Sequence, residues 1–281
     1  MTLLGEQPAA THVLITGASA GLGLELARLF AADGCALVLV ARNESKLAAL
    51  AGILRKDFEV DVRIIPADLT RPDAVQDLLN ALQEASIGIR VLINNAGFGS
   101  YGRIQDHEWD LYRRMIDLNI TALTGLTRGL LPGMIACANK GGTPGIMNVA
   151  STAAFQPGPL MGVYFATKSY VLSFSEALHE ELKDAGVTVS AFCPGPTRTE
   201  FFRQDSMIPS GEISEEHLAE HRRRDARRMD AGAAASVGYQ GFLRGDAIVI
   251  PGLKNRFLAQ AGRILPRAVV RKLAFRMLKT D

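Results

Sequence analysis

Short runs rich in Val, Ile and Leu punctuate the chain at 12–16, 36–41, 62–66, 91–94, 145–149, 187–193 and 247–250. They are apolar at odd and even positions alike, which predicts strands buried on both faces of a parallel sheet. Helical periods fill the gaps. Leu22, Leu26, Leu29 and Phe30 form one stripe over 22–33, and 44–56, 72–84 and 164–184 repeat the pattern. Pro72 suits a first helical position, where a missing N–H costs nothing. Right-handed crossovers joining seven such strands give one doubly wound α/β domain over 1–252.

Two stretches break the rhythm. Residues 201–235 show no strand pattern; Ser214 could cap a helix that begins with Glu215 and Glu216 and ends with Arg222, Arg223, Arg224, Arg227 and Arg228. That polarity suits the helix dipole, and a long excursion of this kind is expected to be a helical lid over about 200–235. Residues 253–281 extend the chain beyond the last strand.

Composition narrows the classes. Hydrophobic residues make up 48% and charged residues 21%, which excludes a mainly disordered chain. The net charge of +2 argues against nucleic acid as the main partner. Three scattered cysteines, Cys35, Cys137 and Cys193, form no C-x-x-C pair, so a reducing compartment is expected. The first ten residues have neither a basic n-region nor an apolar h-region, so the expected location is cytoplasmic. Residues 141–167 carry no charge, yet their glycines and prolines would break a lipid-exposed helix.

The first strand ends in Thr16-Gly17-Ala18-Ser19-Ala20-Gly21-Leu22-Gly23 and enters a helix directly. Glycines at this junction turn the backbone sharply, bring amides to a pyrophosphate and pack helix on strand. At the end of the second strand, where an acid would hold the adenosine ribose, the sequence reads Ala41-Arg42-Asn43. An arginine pairs with a 2′-phosphate, so NADP(H) is favoured over NAD(H). Tyr164 and Lys168, four apart, share one helix face. An ammonium near a phenol is expected to lower its pKa toward working pH, making a proton donor and acceptor for an alcohol or carbonyl oxygen. Ser151, ending the fifth strand, can hold that oxygen.

With these motifs in order, the chain resembles the short-chain dehydrogenase/reductase family over about 11–252, which implies a Rossmann-like fold. The resemblance implies that Gly17, Ser19, Gly21, Leu22 and Gly23 form the cofactor turn and that Asp68, followed by Leu69, contacts adenine. It aligns Asn94-Asn95-Ala96-Gly97 with the family's N-N-A-G sequence, making Asn94, Ala96 and Gly97 cofactor contacts. It makes Asn119, Ser151, Tyr164 and Lys168 the catalytic tetrad, with Tyr164 as acid/base, Lys168 on the nicotinamide ribose and Asn119 positioning a relay water. Pro194, Gly195, Thr197 and Thr199 belong to the matching P-G-x-x-x-T loop. Thr197 stands where Val or Ile is frequent, and Ala20 where NADP-dependent members often have a basic residue. The implied activity is hydride transfer between the cofactor and a small-molecule carbonyl or secondary alcohol, by a homo-oligomer (dimer or tetramer).

Phe98, Phe155, Leu160, Met161, Phe201 and Phe202 are expected to line an apolar substrate pocket, which suits a fatty acyl or steroid-like compound. The 253–281 tail carries eight basic residues against Asp281 alone. Phe257, Leu258, Ala261 and Leu265, then Val269, Val270, Leu273 and Met277, follow helical spacing. Such a basic amphipathic extension either lies on an anionic membrane or packs on the pocket or another subunit. It also resembles, more weakly, extensions of family members acting on lipid-linked or long-chain substrates. His217 and His221 have zinc-compatible spacing without a third ligand, so no metal is expected. Trp109 and Tyr112 read as packing or oligomer contacts. The competing readings are a catalytically idle NADP(H)-binding regulator and a membrane-peripheral lipid-binding protein on the same fold.

Overall fold

The computed structural model of the chain describes residues 11–198, 228–264 and 266–278. Seven strands, β1 (Thr11–Thr16), β2 (Leu37–Ala41), β3 (Val62–Pro66), β4 (Gly88–Asn94), β5 (Gly145–Val149), β6 (Thr188–Phe192) and β7 (Ile248–Val249), form one sheet. Its order is β3-β2-β1-β4-β5-β6-β7, with every neighbouring pair parallel. β2 and β5 are buried at every position, as strands covered on both faces must be. The strand order reverses between β1 and β4, which opens a crevice at the carboxyl ends of those strands.

Helices cover both faces. On one side lie α1 (Gly21–Ala32), α2 (Glu44–Phe58) and α7 (Ala231–Leu243), whose Phe30 ring meets the Tyr239 ring edge-on at 4.8 Å. On the other lie α3 (Ala74–Glu84), α5 (Leu123–Ala138) and α6 (Gly162–Glu181), which bury Leu78, Leu126, Met134 and Leu178 against the sheet. A short α4 (Trp109–Ile116) runs into α5 through a π-helical turn at Asp117–Ala122.

Several expectations change. Pro72 is not a first helical residue: Arg71–Asp73 forms a turn, closed by the Ala74 N–H on the Arg71 carbonyl, and the helix starts at Ala74. The end of the expected lid, from Ala231, is the start of α7, capped by the Asp230 carboxylate on the Gly232 and Ala233 N–H groups at 2.9 and 3.2 Å. Ala234 and Ala235 are core residues there. The rest of the expected lid, including Ser214, His217 and His221, lies outside the described residues, as do Thr199, Phe201 and Phe202.

After β7 the chain forms α8 (Leu253–Ile264) and α9 (Arg267–Leu278). Arg256 Nε donates to the Ile250 carbonyl at 2.9 Å, Asn255 Nδ2 to the Pro251 carbonyl at 2.7 Å, and the Tyr101 hydroxyl to the Leu278 carbonyl at 2.7 Å. Of the expected apolar stripe, Val270 alone is buried among the described side chains. Ala259, Val270 and Ala274 are buried, whereas Phe257, Leu258, Val269 and Leu273 are exposed. Small side chains let the helices approach the body closely, while Leu258, though 44% exposed, borders the cavity described below. Leu265 and the side chains of Ala261 and Met277 lie outside the description.

Candidate active site

A cavity of about 1150 Å³ occupies the crevice at the carboxyl ends of the strands. Its floor is the glycine turn, bolted in place by the segment after β4. Thr16 Oγ1 accepts from the N–H groups of Asn95 and Ala96 at 3.0 Å each, and Asn95 Nδ2 donates to the Thr16 and Gly17 carbonyls at 2.9 and 3.1 Å. Gly17 has φ +65, and a Cβ there would lie 2.8 Å from Asn95 Nδ2 and 2.9 Å from Ala96 Cα. No side chain caps α1 at Ala20, so first-turn N–H groups remain available to an anion beside Ser19, Gly21 and Leu22, which face the cavity. These residues fit the pyrophosphate of a dinucleotide.

Arg42, Asp68 and Leu69, expected at the adenosine, line the cavity together with Asn43, Lys46, Thr70 and Arg114. Asn43 Oδ1 accepts from the Lys46 N–H at 2.9 Å, which starts α2 immediately beyond Arg42 and sets Lys46 in its first turn. Burial raises the Asp68 carboxyl. The N–H and hydroxyl of Thr70, at 3.1 and 2.8 Å, with the Arg42 and Arg114 charges, outweigh burial and hold it below its ordinary range.

At the other end Ser151, Tyr164 and Lys168 converge. Ser151 Oγ accepts from the Ala153 N–H at 3.1 Å, capping the 3₁₀ turn Thr152–Phe155, and shares a hydrogen bond with the Tyr164 hydroxyl. Lys168 Nζ donates to the Val149 carbonyl at 2.8 Å and sits 5.9 Å from the Tyr164 ring centroid. Contrary to expectation, the phenol is not brought toward neutral pH: burial pushes it up to about 12, opposed only by the Ser151 hydrogen bond. Burial brings the Lys168 ammonium down to about 8. The Cys193 thiol beneath them is pushed up to about 12 by burial, so it is protonated and unreactive at neutral pH.

Gly17, Ala96, Gly97, Pro194, Gly195 and Thr197 also line the cavity. Among the described residues, three of those expected at the cofactor or in the tetrad do not, and each works behind the wall. Gly23 packs α1 on the turn, since a Cβ there would lie 2.4 Å from the Gly17 carbonyl oxygen. Asn94 points into the helix layer, where Nδ2 donates to Thr127 Oγ1 and Asn148 Oδ1 at 3.1 and 2.9 Å; its neighbour Asn95 takes the place at the cavity. Asn119 Oδ1 accepts from the Phe98 N–H at 3.1 Å, while Nδ2 donates to the Phe98 carbonyl and Thr167 Oγ1 at 2.9 and 3.0 Å. Thr167 Oγ1 in turn donates to the Tyr164 carbonyl at 2.7 Å. Asn119 therefore positions both the Phe98 wall and the tyrosine helix.

Phe98, Phe155 and Met161 line the apolar half of the cavity, joined by Phe165, Leu258, Ala274 and Leu278. Leu160 does not; its φ of +67 belongs to a tight turn whose carbonyl accepts from the Gly102 N–H at 2.8 Å. The tail residues had no motif to reveal them, and Lys46 was legible only through the Asn43 cap. Among the described residues no group of three His, Cys, Asp or Glu could hold a metal.

The short chain dehydrogenase family model matches residues 11–207. A sulfoacetaldehyde reductase of Chromohalobacter salexigens is 36% identical over 190 residues, 67% of this chain and 73% of the relative. A Sphingobium yanoikuyae short-chain dehydrogenase solved in complex with NADPH is 35% identical, covering 90% of this chain and 93% of that one with a TM-score of 0.74. A bulky-bulky ketone specific alcohol dehydrogenase of Comamonas testosteroni is 31% identical, covering 91% and 93% with a TM-score of 0.71. The chain thus belongs to the short-chain dehydrogenase family and is an oxidoreductase of that family.

Proposed function

We propose that this oxidoreductase is NADP(H)-dependent and interconverts an apolar ketone or aldehyde with its alcohol, Tyr164 moving the proton. One observation carries the reading: the hydrogen-bonded Tyr164–Ser151 pair stands where the polar and apolar halves of a single cavity meet. A bound nicotinamide supplies or accepts the hydride. The Ser151 hydroxyl orients and polarises the carbonyl oxygen. The Tyr164 phenol, neutral because it is buried, donates its proton to that oxygen as negative charge grows there. The Lys168 ammonium beside the ring then stabilises the phenolate left behind. A panel of bulky apolar ketones, sugars, polyols and small anionic aldehydes, followed by NADPH absorbance, tests the substrate class. Turnover confined to the polar or anionic compounds would overturn it.

The same geometry gives the pH dependence a sign. Lys168 carries charge below about 8 and loses it above. The reductive kcat/KM is expected to be level through the neutral range and to fall as pH rises past about 8. A profile still level at pH roughly 10, the range of an ordinary lysine, would remove Lys168 from the proton step.

For the cofactor, Arg42 and Lys46 bring two cations to the place where a 2′-phosphate would distinguish NADPH from NADH. Arg42→Asp is expected to lower the NADPH/NADH ratio of kcat/KM by roughly 10- to 100-fold, the scale of one charged hydrogen bond. Lys46→Glu should act in the same direction. Unchanged ratios in both variants would place the discrimination elsewhere.

A further inference from the structure

The extension after β7 has two faces with different tasks. Inward, Asn255, Leu258, Ala259, Ala274 and Leu278 wall the cavity. Asn255 packs on the turn before Thr197, where a Cβ on Gly195 would meet its amide at 2.5 Å. Outward, α8 and α9 leave Phe257 74%, Leu273 44% and Phe275 44% exposed, a concentration of large apolar side chains unusual for a solvated helical pair. Exposed Arg256, Arg267, Arg271, Lys272 and Arg276 lie on the same two helices, and 253–278 contains no Asp or Glu.

We infer that the outer face of α8 and α9 docks the protein on an anionic lipid bilayer. Phe257, Leu273 and Phe275 would enter the headgroup boundary while the basic side chains meet the lipid charges. Charge decides against a second copy of the chain as the occupant. A two-fold contact of α8 and α9 with their own copies would bring cation to cation, and 253–278 offers no carboxylate to pair them. Interspersed exposed aromatics and aliphatics distinguish the face from a purely electrostatic nucleic-acid stripe. Because the same two helices wall the cavity from within, docking would place its apolar end beside the bilayer.

The test is sedimentation of the full-length protein with vesicles of phosphatidylcholine, alone or mixed with about one-third phosphatidylserine. Binding is expected to be at least roughly tenfold tighter to the anionic vesicles and to weaken as salt rises. Charge reversal at four positions (Arg267→Glu, Arg271→Glu, Lys272→Glu, Arg276→Glu) should reduce it on the order of 100-fold. Phe257→Ser with Phe275→Ser should reduce it about tenfold, because apolar burial is the other half of the attachment. None of these six side chains lines the cavity, so turnover of a small water-soluble ketone should match wild type, which also controls for folding. Absence of binding to anionic vesicles, or equal binding by wild type and both variants, overturns the inference. So does light scattering in which the double serine variant dissolves a dimer or tetramer held by this face. Sedimentation does not depend on turnover, so the inference and the proposed reaction fail separately.

Discussion

Tyr164→Phe is expected to lower kcat by about 10³-fold, within the range attributed to a positioned general acid, while leaving the NADPH dissociation constant within a few-fold of wild type. The substitution removes one oxygen and keeps the ring. That ring is 8% exposed and packs against the neighbouring Phe165 at 6.0 Å between centroids, so packing survives. Ser151 keeps its bond from the Ala153 N–H, and Lys168 keeps the Val149 carbonyl. What disappears is the only phenol hydrogen-bonded to Ser151 among the described residues. Ser151→Ala would be a poorer test, because it also uncaps the Thr152–Phe155 turn and mixes stability with chemistry. Steady-state turnover paired with NADPH fluorescence titration separates the steps. Activity within tenfold of wild type would assign the proton to another group. If the wild type bound NADPH without turning over any carbonyl, the idle regulator would be the better reading.

How far the sequence disclosed this site follows from what each residue touches. Strands buried on both faces, such as β2 and β5, announce themselves by continuous apolar runs, and the strand–glycine–helix junction marks the cradle. Ser151, Tyr164 and Lys168 were legible because their chemistry demands particular residue types at fixed spacing. The two asparagines after Ile93 were not separable by type. Alternation along the end of β4 sends Asn94 to Thr127 in the helix layer and leaves Asn95 to hold the glycine turn. The α5 helix was hidden by its own composition. Gly125 and Gly129 let α3 approach until added Cβ atoms would lie 3.1 Å from Val75 and 2.5 Å from Leu79, and Pro132 interrupts the helical period further. In the tail, apolar spacing identified helices but left open which face turns inward; Ala259 and Ala274 decide it by fitting where larger side chains do not. The tyrosine pKa shows a similar limit: proximity of a cation was readable, whereas the depth of burial that outweighs it was not.

The same mutation, glycine to alanine inside a helix, should have opposite signs at two positions. Gly52 lies in α2 with nothing within 4 Å of an added Cβ, so Gly52→Ala is expected to stabilise by about 0.5–1 kcal/mol through helix propensity. Gly23 has no such freedom. Its Cβ would lie 2.4 Å from the Gly17 carbonyl oxygen and 2.5 Å from Asn95 Nδ2, two atoms hydrogen-bonded to each other at 3.1 Å. Neither is the end of a mobile side chain: Gly17 belongs to the backbone turn, and Asn95 is also held by the Thr16 carbonyl at 2.9 Å. The methyl group must therefore push α1 off the turn or break the Asn95 clamp. Overpacking of this severity is expected to cost about 3 kcal/mol or more, a fall in Tm of roughly 10 °C for a chain of this size. Cofactor affinity should fall with it, since the displaced backbone is the floor on which Ser19, Gly21 and Leu22 present their amides. Thermal melts and NADPH titrations of both variants check the pair. If Gly23→Ala melts and binds like Gly52→Ala, the close approach of α1 to the turn is not what holds the cradle in shape.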